Sequence, residues 1–244
     1  MSFRKVKQQR IAERIAKTGK ADLPVHFGVD MADGDDETVT QDFDRHGLVQ
    51  TNFRDDVKHL KKLEGIDEKI EFKRDSLVPR YIETALAMVA NDDLSNQNLL
   101  FNMAMWCLDI ADIDNATTLV LFLLAKEVET PIWFKTDAAT FFAGEFVEWI
   151  SPKTKKGESA EPYISQWVKA YKNLSESQLE QLHILKHGAL LVQAGKQAHL
   201  ARKFDDAVAL YTQADEINPR CGIKTVLKQA QEKKPLVIKP ETKK

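Results

Sequence analysis

Hydrophobic positions recur at three- and four-residue steps along most of this chain, the period of helices that bury one face. Val6, Ile11 and Ile15 fit one face of a short basic helix that Gly19 can end. Residues 21–50 mix Gly28, Gly34, Gly47 and many acids with little periodicity, and are expected to form an acidic flexible linker. Val57, Leu60, Leu63 and Ile66 then step by three within residues 51–75, with lysines on the other faces, predicting an amphipathic helix. The next helix is expected from Ser76, as a serine cap before Pro79 in the first turn, to about Ala90. Ser95 is expected to cap a helix with Leu99, Leu100, Met103, Trp106, Cys107 and Ile110 on its apolar stripe. Asp114 is expected to cap the one after it, with Leu119, Phe122 and Leu123 inward, and the short connection at 112–114 makes the two an antiparallel hairpin. Asp137 opens a helix through Phe141, Phe142, Phe146 and Trp149 that Ser151 and Pro152 should end.

The polar stretch SPKTKKGESAEP, residues 151–162, then reads as a loop and a subdomain boundary. After it come a helix holding Ile164, Trp167 and Tyr171, and another starting at Ser175 and Ser177. Placing Pro219 at the terminal proline of the tetratricopeptide pattern puts Gly195, Ala207, Tyr211 and Ala214 on its small and aromatic positions, with Leu191 where the pattern has tryptophan. One such repeat cannot bury its own face, so this hairpin has to pack on the body or on another subunit. A basic helix from Ile223 to about Glu232 leads into a proline-broken tail.

The expected fold is therefore all-α: helical hairpins with one tetratricopeptide-like C-terminal unit and a basic N-terminal arm. Its expected organisation is a basic arm at 1–20, the acidic linker at 21–50 and a helical central or oligomerisation domain at 51–152. A helical C-terminal region at 153–233 and a basic tail at 234–244 follow. Trp106, Trp133, Trp149 and Trp167 lie among apolar residues at helical spacing and read as core anchors.

Composition agrees with helices: 244 residues, ten glycines, eight prolines and 30% charged side chains. The longest apolar runs fall far short of the roughly 20 residues that a membrane helix needs, so the chain is expected to be soluble and without membrane contact. Cys107 and Cys221 show no CxxC spacing, which suggests neither a disulfide framework nor a zinc site. The net charge of -2 hides a sharp segregation. Residues 1–20 hold seven basic residues against one acid, net +6, while residues 21–44 hold eight acids and no Lys or Arg. From Lys224 to the end, seven lysines face two glutamates, net +5. Detached positive ends of this kind seek polyanions. Arg4, Lys5, Lys7, Arg10, Arg14, Lys17 and Lys20 are the candidate DNA-binding residues.

Catalytic chemistry is harder to find. His183 and His187 have the i, i+4 spacing of a shared metal, but the glutamate of an HExxH motif is missing, and packing explains them as well. Asp109, Asp112 and Asp114 are conceivable metal ligands for phosphodiester cleavage, yet capping and the hairpin turn account for the same residues. Thr18-Gly19-Lys20 lacks the spaced glycines of a phosphate loop. No catalytic residue, metal site or cofactor is assigned.

Leu77, Pro79 and Tyr81, then MAMWCLDIADIDNA over 103–116, with Trp106, Leu108, Asp109, Asp112, Ile113 and Ala116, and the stretch from Phe204 to Pro235 together resemble the small terminase subunit (M protein) of cohesive-end temperate tailed phages. The likeness covers about 75–235. It implies a subunit that forms a ring-like homo-oligomer, binds the packaging (cohesive-end) site of double-stranded phage DNA, and recruits the large terminase ATPase and nuclease in the cytoplasm of the bacterial host. Such subunits are sometimes called the endonuclease subunit. This sequence offers no nuclease constellation, so cutting is expected on the partner. A tetratricopeptide-like adaptor without DNA binding is the alternative, and a metal-dependent endonuclease a second.

Overall fold

A computed structural model describes residues 37–132 and 134–236, and side chains from residue 49 onward. Every regular element among these residues is helical. Helix α1 (Glu37–Lys62) begins inside the stretch expected to be a flexible linker, so residues 37–50 are part of a helix. Its inner face carries Val49, Phe53, Val57 and Leu60 onto the core, a spacing of four, four and three.

The single amphipathic helix expected across 51–75 is broken at 63–65. Gly65 takes an extended conformation (φ -74°, ψ 137°) as the N-cap of α2 (Ile66–Phe72), and the chain turns back on itself. Phe53 then meets Tyr81 edge-on at 5.4 Å and Trp106 at 5.6 Å, while His59 meets Phe72. Asp56 fastens the return, accepting from Tyr81 Oη at 2.6 Å and pairing with Arg80.

Ser76 is not a cap. The backbone runs from α2 through a π-helical turn (Lys73–Leu77) straight into α3 (Val78–Ala90), and no side chain caps α3. The widened turn lies just before Pro79, which has no N–H to donate; a local π adjustment lets the helix continue there.

Helix α4 (Gln97–Ile110) is capped one residue later than expected, by Asn96, whose side chain accepts from Leu99 N at 3.0 Å. Ala111 closes it in the left-handed region (φ 65°), with its N–H on Leu108 O and the N–H of Asp112 on Cys107 O, a Schellman arrangement. Asp112, not Asp114, is therefore the N-cap of α5 (Ile113–Ala125). The expected antiparallel hairpin forms, shifted by this tight reversal.

Asp137 caps α6 (Ala138–Lys155) as expected, accepting from Thr140 N at 2.7 Å. The helix passes through Pro152 for three more residues. A proline so near the C-terminus removes one internal bond, and the last carbonyls are taken up by Lys156, Gly157 and Glu158. Then follow α7 (Tyr163–Lys172) and the short α8 (Glu176–Gln181), which Ser175 and Gln178 open with a reciprocal capping box.

The last units are α9 (Ile184–Leu200), α10 (Phe204–Ile217) and α11 (Lys224–Gln231). The α9–α10 pair is the expected tetratricopeptide-like hairpin: Gly195 lets the ring of Tyr211 lie against α9, and Ala207, Tyr211 and Ala214 are fully buried. It does pack on the body, through α6 and α7. One buried cluster runs from Phe53 to Ala194, continuous across residue 152, and a small second cluster of Ala207, Tyr211, Ile223 and Ala230 joins α10 to α11. Trp106 and Trp167 are core anchors, Trp149 is half-buried against Phe146, and Trp133 lies outside the described residues. No helix among the described residues is long and apolar enough to cross a membrane.

A Cβ added at Gly195 would lie 2.5 Å from Cε1 of Tyr211. Helix propensity favours alanine there by about 1 kcal/mol, but overpacking costs about 1–3 kcal/mol. Gly195→Ala should lower the urea midpoint; an increase would contradict the close approach.

Candidate nucleic-acid interface

Arg4, Lys5, Lys7, Arg10, Arg14, Lys17 and Lys20 all lie outside the described residues, as do the acids up to Asp36. What the structure does describe are the lysines and arginines of residues 51–75, on α1, α2 and the π turn. Lys73 is not free for a phosphate: its Nζ donates to Asp109 at 2.7 Å, with both side chains mostly buried. Lys58 pairs with Asp55 on the surface at 2.9 Å. Arg54, Lys61, Lys62, Lys69 and Arg74 have no ion pair among the described residues, and they stay available to solvent or to a polyanion.

The aspartates weighed for metal-dependent cleavage are each committed elsewhere. Asp109 holds Lys73. Asp112 caps α5, accepting from Asn115 N at 3.3 Å and Asn115 Nδ2 at 2.7 Å. Asp114 accepts from Tyr163 Oη at 2.7 Å, which ties α5 to α7 and raises the Tyr163 pKa. Three carboxylates pinned to three different partners do not converge on one ion, and no group of three metal-ligating side chains occurs among the described residues. The histidine pair is similarly occupied: His183 is the N-cap of α9, its Nδ1 accepting from Leu185 N at 3.3 Å, and His187 is half-buried near Tyr171, where burial lowers its pKa. Cys107 is a buried core thiol whose pKa is pushed up to about 12, by burial first and then by Asp112 and Asp109. It is no nucleophile.

A feature that sequence reasoning missed is an open groove of about 520 Å³ between α7, α9 and α10. Its apolar floor and lysine rim combine residues of α7 with residues of the later α9–α10 hairpin, so no local pattern announces it.

The family model described as "Phage small terminase subunit" matches residues 50–178, just over half of the chain. The chain belongs to the phage small terminase subunit family. The match runs from the second half of α1 to α8, so it covers the hairpin, the π turn and the core helices. A protein of Haemophilus phage HP1 named "Probable terminase, endonuclease subunit" is 23% identical over 195 residues, covering 75% of this chain and 68% of its own length. No solved structure matches. Family membership gives this small terminase subunit a role in phage DNA packaging.

Asp112→Ala should cost about 1 kcal/mol through loss of a cap, and Asp109→Ala about 1–3 kcal/mol because Lys73 is left buried without its partner. Urea unfolding checks both. Unchanged stability together with loss of a magnesium-dependent cleavage would instead return these carboxylates to a nuclease site.

Proposed function

We propose that this chain binds the packaging site of double-stranded phage DNA as a homo-oligomer and delivers it to the large terminase subunit in the cytoplasm of the bacterial host. The observation that carries this reading is the charge segregation of a chain that belongs to the small terminase family: a +6 arm set apart by an acidic segment. Each arm makes modest phosphate contacts through Arg4, Lys5, Lys7, Arg10, Arg14, Lys17 and Lys20. Several arms on one assembly raise the effective concentration at a single site while each arm binds as before. Specificity comes partly from the shape and deformability of the bound DNA. The acids of 21–44 oppose binding to random sequence by competing with phosphates for the arm.

Self-association has candidate surface in Leu179, Ile184 and Leu185, which keep 43%, 57% and 53% of their area exposed around the α8–α9 junction. The basic tail at 234–244 is the proposed contact for the large subunit. ATP hydrolysis and strand cutting are assigned to that partner; in this chain Asp109 pairs with Lys73, Asp112 caps α5 and Asp114 accepts from Tyr163.

DNA affinity measured against salt tests the arm. Deleting residues 2–20 should weaken binding at least roughly ten-fold near physiological salt and flatten the slope of log affinity on log salt, by about 0.9 for each phosphate that the arm had neutralised. Removing 237–244 should leave that affinity intact while ending co-purification with the large subunit. Unchanged affinity without the arm would favour a protein-protein adaptor, and the converse pattern would mean that the two ends have exchanged roles.

A further inference from the structure

The groove between α7, α9 and α10 has a mixed chemistry. Ile164, Val168, Ala194 and Leu210 form an apolar floor, Lys169 and Lys172 border it from the last turn of α7, and Lys203 borders it from the N-cap of α10. None of these three ammonium groups has an ion pair among the described residues. Glu161 and Asp206 line the groove as well, so three ammonium groups face two carboxylates and the lining is net positive by one. Glu161 accepts from Ser165 Oγ at 2.8 Å, and Asp206 lies in the first turn of α10, where the helix dipole favours negative charge. What the groove lacks is an anionic partner that also brings apolar side chains to its floor. Its volume is in the range of built binding clefts.

The sequence contains one segment with that composition. Residues 21–36 hold Asp22, Asp30, Asp33, Asp35 and Asp36 with no Lys or Arg, interleaved with Leu23, Val25, Phe27, Val29 and Met31. The C-terminal segment 237–244 has Val237 and Ile238 but a net charge of the same sign as the lysine rim, which repels it.

We infer that residues 21–36 of this chain dock in the α7–α9–α10 groove, with aspartates on the Lys169, Lys172 and Lys203 rim and apolar side chains on the floor. Docking gives the acidic segment a second partner besides the basic arm, so the groove and the arm compete for the same aspartates. The inference stands on the groove and on the charge pattern, and does not require that the arm binds DNA.

A photoreactive benzoylphenylalanine placed at Gln213, an exposed position on the groove wall, tests it in the full chain. Irradiation should link this position to peptides within 21–36. The yield should fall several-fold in Lys169→Glu/Lys172→Glu, and also when Asp30, Asp33, Asp35 and Asp36 are changed to Asn. Links to 237–244 or to any other segment, no links at all, or a yield that ignores both sets of substitutions would overturn the inference. DNA affinity measured on the same samples keeps the two questions apart, because loss of DNA binding without loss of the link bears on the arm alone.

Discussion

Trp167 sits where three helices have to agree. Its ring lies 4.1 Å from that of Phe146 at an angle of 9°, joining α7 to α6, and its indole N–H donates to Thr117 Oγ1 at 2.9 Å, joining α7 to α5. A buried indole N–H needs an acceptor, so the position of Thr117 fixes the rotation of α7 as firmly as the stacking fixes its distance. One turn later, Tyr171 repeats the logic, donating to the backbone carbonyl of Ala139. With α7 locked in this way, α9 packs on α6 and α7, α10 packs on α9, and the groove acquires its walls. Leu190 and Ala194 of α9 thereby join the main core, while α10 and α11 keep a small cluster of their own.

The same constraint explains what the sequence revealed and what it concealed. Ile164, Trp167 and Tyr171 announced their helix by spacing alone, and Asp137 and Ser175 announced theirs because a cap acts on its own next three residues. The prolines misled. A stop at Pro152 and a start at Pro79 are sound local expectations, but burial of Ile150 and Thr154 on one side and of Leu77, Val78 and Tyr81 on the other rewards continuing the helix more than one missing hydrogen bond costs. The reversal at Gly65 was equally hidden, since three-residue apolar steps continue through it and only the meeting of Phe53 with Tyr81 and Trp106 requires a turn. Choosing Asp114 over Asp112 as cap was a matter of two residues, decided by the Schellman closure at Ala111 and by Tyr163.

The proposed DNA-contacting arm rests on charge along the sequence. Charge segregation is readable without coordinates because it depends on composition along the chain, and it yielded the arm, which lies outside the described residues, and the acidic segment, whose residues from Glu37 onward belong to α1. Geometry was needed to see that Lys73 neutralises Asp109, that three suggestive aspartates never converge, and that distant lysines share a groove. Those carboxylates and the buried thiol of Cys107 read as parts of a scaffold, and family membership supplies the process in which the scaffold takes part. The proposed function divides packaging between chains, with binding and delivery here and motor and cutting on a partner.

Native mass spectrometry of the full chain, alone and with a duplex carrying the phage's own cohesive-end site, bears most directly on that division. The account predicts a closed multimer that takes up one duplex as a unit, with the DNA intact after incubation with magnesium. A monomer that ignores the duplex, or one that cleaves it unaided, would contradict it.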